Sequence, residues 1–251
     1  MTELFDAHCH IDVMVKPPAG GTAENTAACG RLLCGVGPSD WDAVADAAAI
    51  WAGTVPAFGL HPWHTGEGSG AWLDDLETRL LQHPDAWLGE AGLDGGRPGI
   101  ATPAEQDSVF RAQLRLAKKL GRPVNLHCVK AWEPLLAALD GEYLTDGPRP
   151  FIVHSFGGPH QYIRPLEDRG AYFTVGPLSW RRESTRQRRR AALLPEGRLL
   201  VESDAFLAPA RDAVDELRAT LAWLADSRQS DVSVLARRVG ANSRRLFDYD
   251  D

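Results

Sequence analysis

The chain has 251 residues, with 27 Lys plus Arg against 34 Asp plus Glu, a formal charge of −7 and a hydrophobic fraction of 44%. This is the composition of an ordinary globular protein, and it speaks against a surface coated with nucleic-acid-binding charge while leaving room for a local basic patch. No run reaches the ~18 apolar residues of a membrane span, and Met1-Thr2-Glu3-Leu4-Phe5-Asp6 has neither the basic flank nor the apolar core of a secretion signal.

In chain order, the first predicted strand, Leu4–Ile11, leads into a crossover, Val15–Gly30, with the poorest helical signal of the chain. Arg31–Val36 then precedes a predicted helix at Ser39–Trp51, Thr54–Leu60 one at Ala71–Gln82, and Trp87–Leu93 one at Ala104–Leu120. The alternation continues with Pro123–Cys128 before Ala131–Leu139, Phe151–Phe156 before His160–Arg169, and Ala171–Val175 before Glu183–Leu194. Leu199–Ser203 is followed by helices at Arg211–Ser227 and Val232–Val239. Thr102-Pro103 reads as a helix start, while Gly121, Gly141 and Gly170 read as stops.

Eight strands with mostly helical crossovers predict a parallel (β/α)8 barrel spanning residues 1–251 as one domain. An open doubly wound sheet is the competing architecture, disfavoured by the strand count and by the lack of a GxGxxG turn. The four cysteines, Cys9, Cys29, Cys34 and Cys128, form no CxxC pair and are expected as free thiols in the cytoplasm.

Six metal-capable residues fall at or near predicted strand ends: His8, His10, Glu90, His127, His154 and Asp204. In a barrel those ends open on one face, so residues far apart in sequence converge on one cup. Strand alternation turns His8 and His10 to one side and Cys9 to the other. Four histidines and two carboxylates exceed the needs of one tetrahedral ion. They suit two ions ~3.5–4 Å apart with a bridging carboxylate. The bland alternative, a buried set satisfied by itself, would carry a severe desolvation cost.

The segments Phe5-Asp6-Ala7-His8-Cys9-His10, Gly59-Leu60-His61-Pro62, Gly89-Glu90-Ala91-Gly92-Leu93-Asp94, Leu126-His127, His154-Ser155-Phe156-Gly157-Gly158 and Glu202-Ser203-Asp204 resemble the TatD family of metal-dependent hydrolases. Gln106, Phe110, Gln113, Asn242 and Leu246-Phe247 extend the resemblance over essentially the whole chain. It implies an amidohydrolase-like barrel with two divalent ions, acting as a deoxyribonuclease or other phosphoesterase. By resemblance, His8, His10, Glu90 and Asp204 hold one ion, and Glu90, His127 and His154 the other. Glu90 takes the bridging place that a carboxylated lysine fills in related barrels, since Lys16, Lys118, Lys119 and Lys130 all lie outside strand four. Ser155, Ala205-Phe206 and Gly95-Gly96-Arg97 depart from the usual family residues without removing a ligand.

The chemistry expected is hydrolysis by activated water, with Glu90 bridging and Asp204 serving as ligand and general base. The ions fit Zn, Mn, Fe or Ni, with Mg more weakly held. His61 is expected to touch substrate, as are Arg181 and Arg182 at the head of an arginine-rich segment ending at Arg190. The expected substrate is DNA or another phosphoester, with no membrane and no obligate protein partner. The alternatives are an amide, ester or lactone hydrolase on the same barrel, and a non-catalytic metal-containing protein that binds nucleic acid.

Overall fold

The eight apolar runs all become strands: β1 (Leu4–Ile11), β2 (Cys29–Cys34), β3 (Thr54–Phe58), β4 (Trp87–Asp94), β5 (Val124–Val129), β6 (Phe151–Val153), β7 (Ala171–Val175) and β8 (Leu199–Val201). The structure is a computed structural model and describes residues 4–11, 29–66, 71–97, 101–207 and 213–247. Consecutive strands pair in parallel from β1 to β8, and a two-residue strand, β9 (Phe206–Leu207), pairs in parallel with the far side of β1. The sheet curls into a (β/α)8 barrel. Its seam is closed by the segment after β8: Asp204 N donates to His8 O at 3.0 Å, and His10 N donates to Ala205 O at 2.9 Å.

The helices are α1 (Trp41–Ile50), α2 (Trp72–Gln82), α3 (Pro103–Leu120), α4 (Trp132–Ala138), α5 (Ile163–Asp168), α6 (Pro177–Arg181), α7 (Thr185–Leu193), α8 (Val214–Ser227) and α9 (Val232–Phe247). Their local chemistry is legible in α3, where Thr102 and Glu105 form a reciprocal capping box, Pro103 opens the helix and Gly121 ends it at φ 68°. The predicted crossover Val15–Gly30 lies largely outside the described residues, as does the start of Arg211–Ser227.

Burial follows two surfaces of one sheet. Cys9, Leu33, Phe58, Leu88, Leu126, Val153 and Phe173 face outward into a layer shared with helix residues such as Leu76, Phe110, Leu135 and Leu221. Phe5, Ala7, Leu32, Cys34, Ala57, Trp87, Ile152, Tyr172 and Leu200 fill the barrel interior. Bulky interior residues thus plug the lower barrel, and the polar residues gather above them.

Several elements differ from expectation. The last helix runs through Gly240 to Phe247, because Asn242 donates to Glu196 O (2.8 Å) and Leu199 O (2.9 Å) and Phe247 stacks on Phe5 with centroids 4.0 Å apart. Tertiary anchoring here overrides the weak stop that one glycine supplies. Helix α6 went unpredicted because it is short and lies between β7 and the arginine-rich run. Strands β3, β6 and β8 end earlier than read, since their last residues leave the ladder to build the loops of the upper face.

Candidate metal centre

Two strands shift register where the polar residues begin. In β1 the irregularity lies between Asp6 and Cys9, so that Ala7 points into the barrel core and His8 and His10 also face inward, with Cys9 outside. In β4 it lies between Leu88 and Ala91 and sets Glu90 among the imidazoles while Ala91 packs outside. Such bulges re-aim side chains at the rims of barrels. Gly92 lets β4 approach β5: a Cβ there would lie 2.0 Å from His127 O, and its φ of 152° suits glycine.

The six donors read from sequence meet in one cup. His8 Nδ1 faces Asn125 Oδ1 at 2.9 Å, and His10 Nδ1 faces Cys34 O at 2.9 Å. Both partners are acceptors, so each Nδ1 carries the hydrogen and each Nε2 presents a lone pair. Those two Nε2 atoms stand 3.0 Å apart. They lie 3.5–3.6 Å from Glu90 Oε2 and 3.7–3.8 Å from Asp204 Oδ1. Facing lone pairs at that range repel unless a cation or a proton sits among them.

The other oxygen of Glu90 faces a second pair. His127 Nδ1 is 2.8 Å and His154 Nε2 is 2.9 Å from Oε1, and those nitrogens are 3.1 Å apart. His127 turns Nε2 toward Asp94 Oδ2 at 3.3 Å. One carboxylate thus addresses a separate set of imidazoles with each oxygen. His8, His10 and Asp204 form one set able to hold a cation, and the donor chemistry of all six residues, imidazole and carboxylate, suits transition metals.

The electrostatics draw cationic charge inward. Burial tends to raise the Glu90 carboxyl, yet His61, His154, His8 and His127 outweigh it and hold it well below the usual range. Asp204 is lowered against burial by His10, His154 and His8. Burial holds His8 well below the ordinary imidazole value. His10, His127 and His154 instead rise against burial, chiefly through Asp204, Asp94 and Glu90 respectively.

His61 lies in the same cup, buried, with Nε2 3.3 Å from Glu90 Oε1. Its Nδ1 accepts the Trp63 backbone N–H at 3.1 Å, which leaves Nε2 as the hydrogen-bearing nitrogen. Asp94 ties the loop together: Trp63 Nε1 donates to Oδ2 at 2.6 Å and Gly96 N to Oδ1 at 2.7 Å. Arg181 turns away to Glu216 at 2.8 Å, whereas Arg182 lines a cavity between the loops after β5, β6 and β7. Gly158 meets the Trp132 ring, 2.7 Å from where its Cβ would stand.

Sequence reasoning missed two participants. Asn125 fixes the His8 tautomer, and buried Glu202 faces His154 Nδ1 at 3.8 Å while accepting the Thr174 hydroxyl hydrogen. Each stands two residues before a chosen donor, His127 and Asp204; strand alternation within β5 could have signalled Asn125, whereas Glu202 and Asp204 both lie past the end of β8.

Residues 5–248 match the family model described as TatD related DNase. A protein named 3'-5' ssDNA/RNA exonuclease TatD from Citrobacter koseri is 31% identical over 250 residues, covering 94% of this chain and 92% of that one. Its namesake from Klebsiella pneumoniae is 30% identical over 254 residues, covering 96% and 92%. The solved structure of a TatD homologue from Escherichia coli K12 superposes with a TM-score of 0.83 at 25% identity over 100% of both chains. A TatD family hydrolase from Entamoeba histolytica shares the fold at a TM-score of 0.80 and 18% identity over 97% of each.

Proposed function

Since the chain belongs to the TatD family of metal-dependent hydrolases, we propose that it is a nuclease of single-stranded DNA or RNA that works with two divalent ions. The observation that carries this reading is Glu90, whose two oxygens face different sets of imidazoles, Oε2 toward His8 and His10 and Oε1 toward His127, His154 and His61. In this reading His8, His10, Asp204 and Glu90 would hold one ion, and His127, His154 and Glu90 the other. Such a pair supplies Lewis acidity, lowering the pKa of water toward neutrality and polarising the phosphoryl oxygen.

The remaining steps fall to the side chains. Asp204 is the most open of the six donors, its side chain 28% exposed, and its ionised carboxylate can take the proton of an attacking water. His61, with its hydrogen on Nε2, can donate to a phosphate oxygen. Glu90 is 2% and His8 0% exposed, so the cutting site is recessed and suits an unpaired strand end better than the interior of a duplex. The substrate named for the Citrobacter and Klebsiella relatives supports the same class. All four cysteines are buried free thiols, which supports a reducing compartment, and among the described residues no helix is long and apolar enough to cross a membrane.

The test is reconstitution of metal-free protein with Mg, Mn or Zn and assay on single- and double-stranded DNA beside Glu90→Gln. Elemental analysis is expected to find two ions per wild-type chain, and the variant is expected to lose bound metal and more than about 100-fold in cleavage. Wild-type cleavage by Glu90→Gln would refute the bridging role.

A further inference from the structure

The loops after β5, β6 and β7 enclose a groove of about 600 Å³. Lys130, Arg182, Arg186 and Arg190 line it, and no Asp or Glu does. A neighbouring hollow of about 290 Å³ shares Pro159, Arg186 and Arg190 with it and adds His160 and Arg189, so the two form one basic track. Its inner wall includes Cys128 and Ser155, the residues that directly follow His127 and His154. The track therefore begins at the rim of the metal centre.

Neighbouring arginines show what a merely solvated helix face would look like. Arg181 pairs with Glu216, and Arg188 with Glu183 and Asp226. Among the described residues, Arg182, Arg186 and Arg189 meet no carboxylate, and Arg190 donates only to the Gly157 carbonyl, at 3.1 Å. Burial and the Arg186 charge both push the half-buried Arg190 guanidinium down. The chain thus pairs the arginines that point to α8 and leaves the groove-facing ones uncompensated, against their mutual repulsion. A polyanion running along the groove would relieve that repulsion at regular intervals.

We propose that this groove holds the phosphate backbone of a single-stranded nucleic acid as it leads away from the bond being cut. The assignment rests on the nuclease reading for the identity of the polyanion. It separates two tasks: the cup cuts, and the loops after β5, β6 and β7 grip the strand.

The test uses a fluorescently labelled strand of about 12 nucleotides, within the span of known single-strand sites. Its binding to the metal-free chain is measured by anisotropy across a salt series, for wild type, Arg186→Ala/Arg189→Ala and Arg186→Glu. Arg186 and Arg189 are exposed, so their replacement is expected to leave the fold intact. The double variant is expected to bind about tenfold more weakly, with a slope of log affinity against log salt shallower by about 1.4, and charge reversal is expected to weaken binding further. Hydrolysis of thymidine 5'-p-nitrophenyl phosphate by the metal-loaded double variant is expected to match wild type. Unchanged affinity and slope would overturn the groove, and so would equal losses on the long strand and the short ester. Binding is read without metal, so a wild type that cuts nothing would sink the nuclease reading while the anisotropy still decides the groove.

Discussion

In the proposed two-ion reading Glu90 would serve as two ligands in one side chain, and Asp204 as a ligand with an open side. From that difference Asp204→Asn is expected to retain most bound metal and lose about 10²–10⁴-fold in kcat. Elemental analysis beside single-turnover kinetics checks this, and full turnover would remove the base role. A second residue sets a pH dependence. Asp6 is buried, its carboxylate accepts Ser203 N–H at 2.8 Å and Ser203 Oγ–H at 2.6 Å, and burial nonetheless pushes it up to about 7. An acid raised in this way keeps its proton in the folded chain where the unfolded chain, at ~3.9, has released it. Its stabilising contribution is therefore fullest below about pH 4 and is lost as the pH climbs through about 7. Urea unfolding of the metal-free protein should show Asp6→Asn gaining on wild type over that window, with a slope no steeper than about 1.4 kcal/mol per pH unit. A difference flat in pH would contradict it.

At the scale of elements, α3 clamps two loops of the site. Gln106 and Gln113 lie two turns apart on one buried face, and each makes a two-way bond to backbone at a strand end. Gln106 exchanges bonds with Asp94 (2.7 and 3.2 Å) and Gln113 with Leu60 (2.8 and 3.0 Å). Gln113→Ala orphans a buried N–H and C=O beside His61, so a loss of about 2–4 kcal/mol is expected from urea unfolding. A loss within 0–0.5 kcal/mol, roughly a surface effect, would mean the loop holds itself. The sequence displayed the donors because the parallel strand pattern puts every strand end on one face, which makes distant histidines neighbours by topology alone. It did not display the bulges at Ala7–His8 and near Glu90, because register shifts arise between strands and leave no periodic trace in one. It displayed Asn125 and Glu202 beside the chosen donors but not their roles, which depend on which ring nitrogen they face. The end of α9 was hidden for a similar reason: the contacts that carry it past Gly240 come from Phe5, Trp87 and Leu199, far away in the chain.

Across the whole molecule, the barrel separates packing from chemistry, with Phe5, Trp87 and Phe247 filling the lower end and ionisable groups crowding the upper one. The two meet at the seam. Asp204 N bonds to His8 O, and the side chains of those same residues converge beside Glu90. Filling the centre with metal should therefore tighten the seam amides. At an ion concentration about 100 times Kd, opening becomes harder by about 2.7 kcal/mol, and hydrogen exchange at His10 and Asp204 is expected to slow about 100-fold on loading. Equal exchange in the two forms would uncouple them. If the exchange slows as expected, the centre is a buckle as well as a tool: without its ions the barrel would loosen along its own fastening, and a protease would meet an idle chain unclasped between β8 and β9.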